Sequence, residues 1–134
     1  PNQSRMGMSG LQFVLDTNVV IYLQSGRLAE PLPPACYGLS VITEMELLSF
    51  SRLDHEQERW LHRFIASMTL IELDREVRSC AIALRRTARL KLPDAIVAAS
   101  AMTRDAILIS NDEQLTHIAD LRVQSVRLRE AGYE

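Results

Sequence analysis

Short apolar runs alternate along the chain with longer stretches in which apolar residues recur at helical spacing. Each run has the length of a strand and stops at polar or turn-forming residues. The predicted strands are Leu11–Leu15, Tyr37–Ile42, Thr69–Leu73, Ala106–Ile109 and, at an edge, Leu121–Leu128. Such alternation favours right-handed crossovers and a parallel sheet covered on both faces. We therefore predict an α/β domain with three layers, α/β/α, around a mostly parallel sheet of about five strands.

Capping residues and prolines mark the predicted helices. Thr43, with Glu46 three residues later, has the pattern of a capping box, so we predict a helix from Thr43 to about Phe50. Asp54 is a candidate N-cap for the next helix. The other predicted helices are Val19–Leu23, Glu76–Arg89, the Asp94–Met102 run behind Pro93, and a turn of helix near Glu113–Ile118.

Length and composition point to one ordinary globular domain. The chain has 134 residues, of which 47% are hydrophobic and 24% charged. We interpret residues 1–10 as a flexible tail, part of which fits the remnant of an expression tag, and residues 11–134 as a single domain. The net charge of −2 provides no general attraction to nucleic acid. It counts against a DNA-packaging role and leaves a nuclease open, because the metal site of a nuclease is itself acidic.

The cysteines and the hydropathy limit the cellular setting. Cys36 and Cys80 lie far apart without a CxxC pattern, which argues against a zinc knuckle or a redox motif and suits a reducing cytoplasm. No apolar run approaches the roughly 20 residues that a membrane span needs. We therefore expect a cytoplasmic protein with no membrane partner.

Four acidic residues stand at places where chemistry is expected. Asp16 ends the first predicted strand, Glu46 follows the second, and Asp112 follows the fourth, while Asp94 begins the alanine-rich helix. In open parallel sheets, ligands bind beyond the carboxyl ends of the strands, where the strand order reverses. The four carboxylates are therefore candidates for one shared site.

Each acid also has a purely structural interpretation. Capping of a helix N-terminus alone accounts for Asp94 and Asp112, and the capping box with Thr43 accounts for Glu46. Asp16 is different, because a carboxylate at the end of an apolar strand needs a partner to offset its desolvation.

Convergence of the four acids would select a hard metal ion. Carboxylates that repel one another stay partly protonated unless a cation lies among them, and oxygen-rich clusters prefer Mg²⁺ or Mn²⁺ to zinc. Such ions lower the pKa of a bound water and stabilise a leaving oxygen, so no nucleophilic side chain is needed. The sequence accordingly shows no convincing Ser-His-Asp or Cys-His arrangement.

Four segments resemble the PIN-domain family, and within it the VapC-type toxin ribonucleases of type II toxin–antitoxin pairs. They are Val14–Asn18, Ser40–Leu47, Lys91–Ala101 and Ile109–Asp112, in an order and spacing that suit the family from Phe13 to about Leu128. The resemblance implies a Rossmann-like PIN domain that cleaves single-stranded or looped RNA with Mg²⁺ or Mn²⁺. It also implies a homodimer and inhibition by a small cognate antitoxin.

The resemblance assigns roles residue by residue. Asp16, Glu46, Asp94 and Asp112 become the catalytic and metal-binding set, and Thr17, Asn18 and Ser110 become their polar supports. Glu44 lies two residues from Glu46 and would point the opposite way on a helix. The family pattern selects Glu46.

Two questions stay open at this point. Arg78, Arg85 and Arg89 form a helical stripe that could contact RNA phosphates or an antitoxin, or could simply be a solvated flank. A catalytically silent PIN-like module that binds RNA or protein is the alternative to a metal-dependent endoribonuclease. Loss of one or more of the four acids would mark such a module, and this chain has lost none.

Overall fold

Five strands form one sheet in the computed structural model, which describes residues 10–130. They are β1 (Phe13–Leu15), β2 (Tyr37–Ser40), β3 (Thr69–Ile71), β4 (Ile107–Ile109) and β5 (Val123–Gln124). The order is β3-β2-β1-β4-β5 and every neighbouring pair is parallel, which confirms the predicted parallel sheet. Apart from Gly10, the predicted N-terminal tail lies outside the described residues.

Five α-helices and a short 3-10 helix connect or follow the strands. They are α1 (Thr17–Gln24), α2 (Val41–Leu48), α3 (His55–Ala66), α4 (Arg75–Ala88), α5 (Leu92–Thr103) and the 3-10 helix Glu113–His117. The predicted cap of α3 is confirmed, because Asp54 forms a complete capping box with Gln57. Among residues 10–130, no helix combines the length and the apolar character that crossing a membrane requires.

The two faces of the sheet carry separate apolar clusters. Successive strand residues point to opposite faces, so Val14 packs with α4 and α5, whereas Leu15 packs with α1 and α3. Leu108 and Ile109 of β4 divide between the two clusters in the same way. The three-layer α/β/α architecture is therefore confirmed.

The start of α2 differs from its prediction. Ser40, not Thr43, is the N-cap, and its Oγ accepts a hydrogen bond from the N–H of Ile42 at 3.2 Å. Val41 and Ile42, predicted as the end of a strand, therefore form the first turn of the helix. Thr43 lies inside the helix and is fully buried. The predicted capping box between Thr43 and Glu46 is wrong.

The last strand is much shorter than the predicted Leu121–Leu128. Only Val123–Gln124 pairs with β4. The side chain of Asn111 then binds both backbone groups of Val126, accepting from its N–H at 2.8 Å and donating to its carbonyl at 3.0 Å. Those groups are consequently not available to a strand ladder, and the chain leaves the sheet.

Candidate active site

The strand order places the site at β1. From β1 the chain builds β2 and β3 on one side and then returns to add β4 and β5 on the other. Asp16 directly follows β1, and its N–H donates to the carbonyl of Ile109, the last residue of β4, at 3.0 Å. Asp16 therefore lies at the carboxyl ends of two adjacent strands, where a sheet of this kind opens a crevice.

A pocket of about 330 Å³ occupies this crevice. It is lined by Asp16, Thr17, Asn18, Ile21, Glu46, Phe50, Asp94, Val97 and Asp112. The structure thus brings together in one pocket all four acids that the sequence indicated. The most distant two, Asp16 and Asp112, are 96 positions apart in the chain. The catalytic role of the four acids remains a prediction.

Asp16 and Asp112 are joined through a buried hydroxyl. Ser110 Oγ donates to Asp16 Oδ2 at 2.6 Å and accepts from the N–H of Asp112 at 3.0 Å. The other oxygen of Asp16 accepts from the N–H of Thr17 at 2.8 Å, at the start of α1. The backbone and Ser110 thus hold Asp16 from two directions.

Glu46 reaches the pocket from α2. Its Oε1 accepts a hydrogen bond from Thr17 Oγ1 at 2.7 Å. Because Thr43 is not the N-cap of α2, the capping interpretation of Glu46 is wrong. Glu44 does not line the pocket, which agrees with the choice of Glu46.

Asp94 and Asp112 relate differently to their helices. Lys91 is the N-cap of α5 and makes no side-chain cap, so Asp94 lies in the first turn without being the cap. The capping interpretation of Asp94 is therefore wrong, although the helix dipole still favours a negative charge there. Asp112 does cap its 3-10 helix, because its Oδ1 accepts from the N–H of Gln114 at 3.0 Å, and it also lines the pocket.

Burial and mutual repulsion perturb two of the acids. Burial is the main cause that raises the pKa of Asp16, and the charges of Asp112 and Glu46 raise it further. The hydrogen bonds from Ser110 and Thr17 act in the opposite direction. The pKa of Asp94 is raised by burial first and then by the other three acids of the pocket. The four carboxylates therefore form one electrostatic unit.

The raised pKa of Asp94 predicts a pH-dependent stability. A group that holds its proton more tightly in the folded state stabilises the fold below the unfolded pKa, here 3.8, and that contribution is lost as the pH rises through the raised pKa. In chelator, Asp94→Asn should therefore melt above wild type by a margin that grows from about pH 4 to pH 7.

Thermal unfolding of both proteins across this pH range measures the margin. The pKa of Asp74 is lowered by the N–H of Val77 and by Arg104. Because Asp74 is present in both proteins, its contribution to the pH dependence of stability cancels in the difference between their melting temperatures. Added Mg²⁺ should shrink the margin, because a cation stabilises the ionised carboxylate. A margin that does not change with pH would show that neither burial nor the neighbouring acids raise the pKa of Asp94.

The donor chemistry of the pocket fits a hydrated hard cation. Carboxylate oxygens suit Mg²⁺ and Mn²⁺, and a cation among them would offset the repulsion that, after burial, raises the pKa values of Asp16 and Asp94. Among residues 10–130, no three His, Cys, Asp or Glu side chains converge closely enough to hold one ion as they stand. Mg²⁺ usually binds through one or two carboxylates and keeps several waters. The remaining acids of the pocket would then hold those waters.

Three apolar residues of the pocket were not predicted from the sequence. Ile21 lies one helical turn after Thr17, and Val97 lies one turn after Asp94, so helical periodicity applied to those two residues could have found them. Phe50 lies just beyond the end of α2, and its ring is 46% exposed. The predicted helix to about Phe50 would also place it one turn after Glu46, although in the structure α2 ends at Leu48.

The arginine stripe is not part of the pocket. Arg78 and Arg85 lie exposed on α4, and Arg78 Nη1 donates to the carbonyl of Leu73 at 3.0 Å. Arg89, predicted as the last residue of this helix, is instead its C-cap in a left-handed conformation with φ 58°. The stripe therefore ends at Arg85, and its role in binding stays a prediction.

These features define a class of protein: a parallel α/β domain with an acidic pocket at the point where its strand order reverses. A model of the PIN domain family matches residues 13–121, which is most of the chain. The chain belongs to the PIN domain family. A search of curated protein sequences found no significant match.

Solved structures with the same fold support this assignment. A toxin–antitoxin complex from Klebsiella pneumoniae contains a chain 29% identical to this one, with a TM-score of 0.70 over 82% of this chain and 95% of that chain. A DNA-bound VapBC from Salmonella typhimurium gives 23% identity and a TM-score of 0.72, covering 86% and 98%. VapBC-1 from nontypeable Haemophilus influenzae gives 23% identity and a TM-score of 0.69, covering 86% and 97%.

Proposed function

We propose that this protein is a divalent-metal-dependent endoribonuclease and the toxin of a toxin–antitoxin pair. The observation that carries the proposal is the convergence of four carboxylates on one pocket in a chain of the PIN domain family. The similar structure from Klebsiella pneumoniae is a toxin–antitoxin complex, which supports the biological setting, and the other two described above are VapBC structures of the same fold. Two free cysteines, one of them exposed, suit action in the reducing cytoplasm.

Asp16, Glu46 and Asp94 would hold Mg²⁺ or Mn²⁺, one or two of them directly and the rest through waters of the ion, and Asp112 would hold a second ion or further waters. A bound ion would supply the positive charge that activates water and stabilises the oxygen leaving the phosphodiester. The chain's own contribution is positional: Ser110 and Thr17 fix the orientation of two of these carboxylates. The lining of the pocket contains no histidine, so a pair of histidines of the kind that activates an RNA 2′-hydroxyl is not part of it.

The apolar part of the pocket supports an unpaired RNA strand as substrate. The half-exposed ring of Phe50 lies on the same lining as the four acids. Unpaired bases stack on such rings, whereas bases within a duplex are already stacked on each other.

An antitoxin is the proposed inhibitor. Phe50, on the lining of the pocket, is 46% exposed, and Met45, which precedes Glu46 on α2, is 57% exposed, so α2 and the segment after it leave apolar surface uncovered. An antitoxin that covers Phe50 would also exclude RNA from the acids. We further propose that the toxin is a homodimer, as its resemblance to the family implies.

Incubation of the purified, antitoxin-free protein with a mixed pool of small RNAs tests the proposed function. The pool is compared with a single-stranded DNA pool of the same sequences, in Mg²⁺, in Mn²⁺ and in excess chelator. We expect RNA to be cut with either ion and not in chelator. RNA binding without cleavage in any condition would indicate a silent binding module, and cleavage of DNA alone would contradict the proposed substrate.

A further inference from the structure

A buried hydroxyl lies behind Glu46 and has no role in the site as described so far. Thr43, on α2, is fully buried. Its Oγ1 lies 3.0 Å from Thr17 Oγ1, which in turn donates to Glu46 Oε1 at 2.7 Å. Three side chains from two helices therefore form a continuous line of hydrogen bonds that ends on a proposed metal ligand.

The direction of this line follows from counting hydrogens. Each hydroxyl has one hydrogen, and an ionised carboxylate can only accept. The hydrogen of Thr17 is used on Glu46, so the contact between the two threonines must be donated by Thr43. Hydrogen bonds in such a chain polarise and strengthen one another.

We propose that Thr43 is a positioning residue, which through Thr17 holds the Glu46 carboxylate in the orientation needed to bind a divalent cation. Glutamate has a long side chain, and ordering it costs rotamer entropy. The bond from Thr17 fixes one carboxylate oxygen, which leaves the other free for the cation. Thr43 supports this bond because its own hydrogen occupies one acceptor lone pair of Thr17 Oγ1 and so fixes the direction of the Thr17 hydroxyl. The inference rests on the proposed function of the pocket.

A simpler role would be to join two helices. Thr17 begins α1 and Thr43 lies within α2, so their contact also links these elements. A purely structural contact would affect stability whether or not Glu46 is present. A positioning contact affects cation binding only through Glu46, and this difference makes the two roles separable.

The test measures Mn²⁺ affinity, from the electron paramagnetic resonance signal of free Mn²⁺, beside melting temperature and RNA cleavage. Thr43→Val removes the hydroxyl and keeps the branched shape, and we expect it to weaken Mn²⁺ binding about 10- to 100-fold, as loss of a partner that orients a ligand typically does. Thr43→Ser keeps the hydroxyl and should restore the affinity to within a few-fold. Thr87→Val, a matched change on α4 where the hydroxyl only bonds the carbonyl of Ala83, should leave it unchanged.

A double-mutant cycle with Glu46→Ala decides between the two roles. In the Glu46→Ala variant the carboxylate that accepts from Thr17 is absent, so we expect Thr43→Val to have no further effect on Mn²⁺ binding. Should the valine variant be too unstable to purify, Thr43→Ala removes the same hydroxyl with a residue that favours helix. Wild-type affinity in either variant, or an equal loss with and without Glu46, would overturn the inference while leaving the proposed function intact. A wild-type protein that binds no Mn²⁺ would overturn both.

Discussion

Replacing Asp16 with asparagine should reduce RNA cleavage by at least about 100-fold, because even partners that only orient metal ligands are worth 10- to 100-fold. The substitution removes one negative charge from the centre of the acidic pocket. It keeps the shape of the side chain, whose oxygen can still accept from the N–H of Thr17. The amide nitrogen can donate to Ser110 Oγ in place of the hydrogen bond that Asp16 now accepts.

The same variant should be as stable as wild type or more stable at neutral pH without added metal. Burial and the neighbouring acids raise the pKa of Asp16, so the ionised carboxylate destabilises the fold and its removal relieves that cost. Cleavage rates and melting temperatures of both proteins measure the two effects. Asp105→Asn, at a fully exposed aspartate paired with Arg122, is the matched control and should cut RNA like wild type. Normal cleavage by Asp16→Asn would contradict the carboxylate mechanism.

Replacing Leu15 with alanine should cost about 2–5 kcal/mol of unfolding free energy. Leu15 is fully buried at the end of the central strand, within the cluster formed with α1 and α3. Truncation leaves a cavity directly behind Asp16. Because domains of this size are stabilised by roughly 5–15 kcal/mol in total, the variant should lie close to the limit of folding.

Urea unfolding of Leu15→Ala against wild type measures this loss. Leu92→Ala is the matched control, since Leu92 is 49% exposed at the start of α5, and its change should stay within about 0.5 kcal/mol. Equal losses at the two positions would mean that the sheet core does not support the site as described.

Most of the fold was predictable because its strands are short apolar runs that end at polar residues. The two most consequential errors, the strand predicted through Val41 and Ile42 and the helix cap predicted at Thr43, have the same cause. Val41 and Ile42 are apolar and β-branched, and a short apolar run can be either a buried strand or the first turn of a buried helix. In the structure the side-chain oxygen of Ser40 caps the helix, so Val41 and Ile42 form its first turn. Thr43 therefore lies inside the helix instead of capping it.

The candidate site was predictable only in part. In open parallel sheets, ligands bind beyond the carboxyl ends of the strands, so the four acids were expected to share one site. The resemblance named Thr17 and Ser110 as polar supports. Which acid each of them contacts was not predictable, because the partners are distant in the chain: Thr17 and Glu46 are 29 residues apart, and Asp16 and Ser110 are 94 apart. Such pairs depend on how helices pack on the sheet, which no local sequence pattern specifies.

The chemistry of the new RNA ends tests the central claim most directly. Wild-type protein is incubated with an RNA pool in Mn²⁺ and in chelator, and the product ends are identified. We predict products only in Mn²⁺ and without a 2′,3′-cyclic phosphate, because the attacking group is water rather than the RNA's own 2′-hydroxyl. Cyclic phosphate ends, or equal cleavage in chelator, would contradict a reaction that depends on the four carboxylates and their cation.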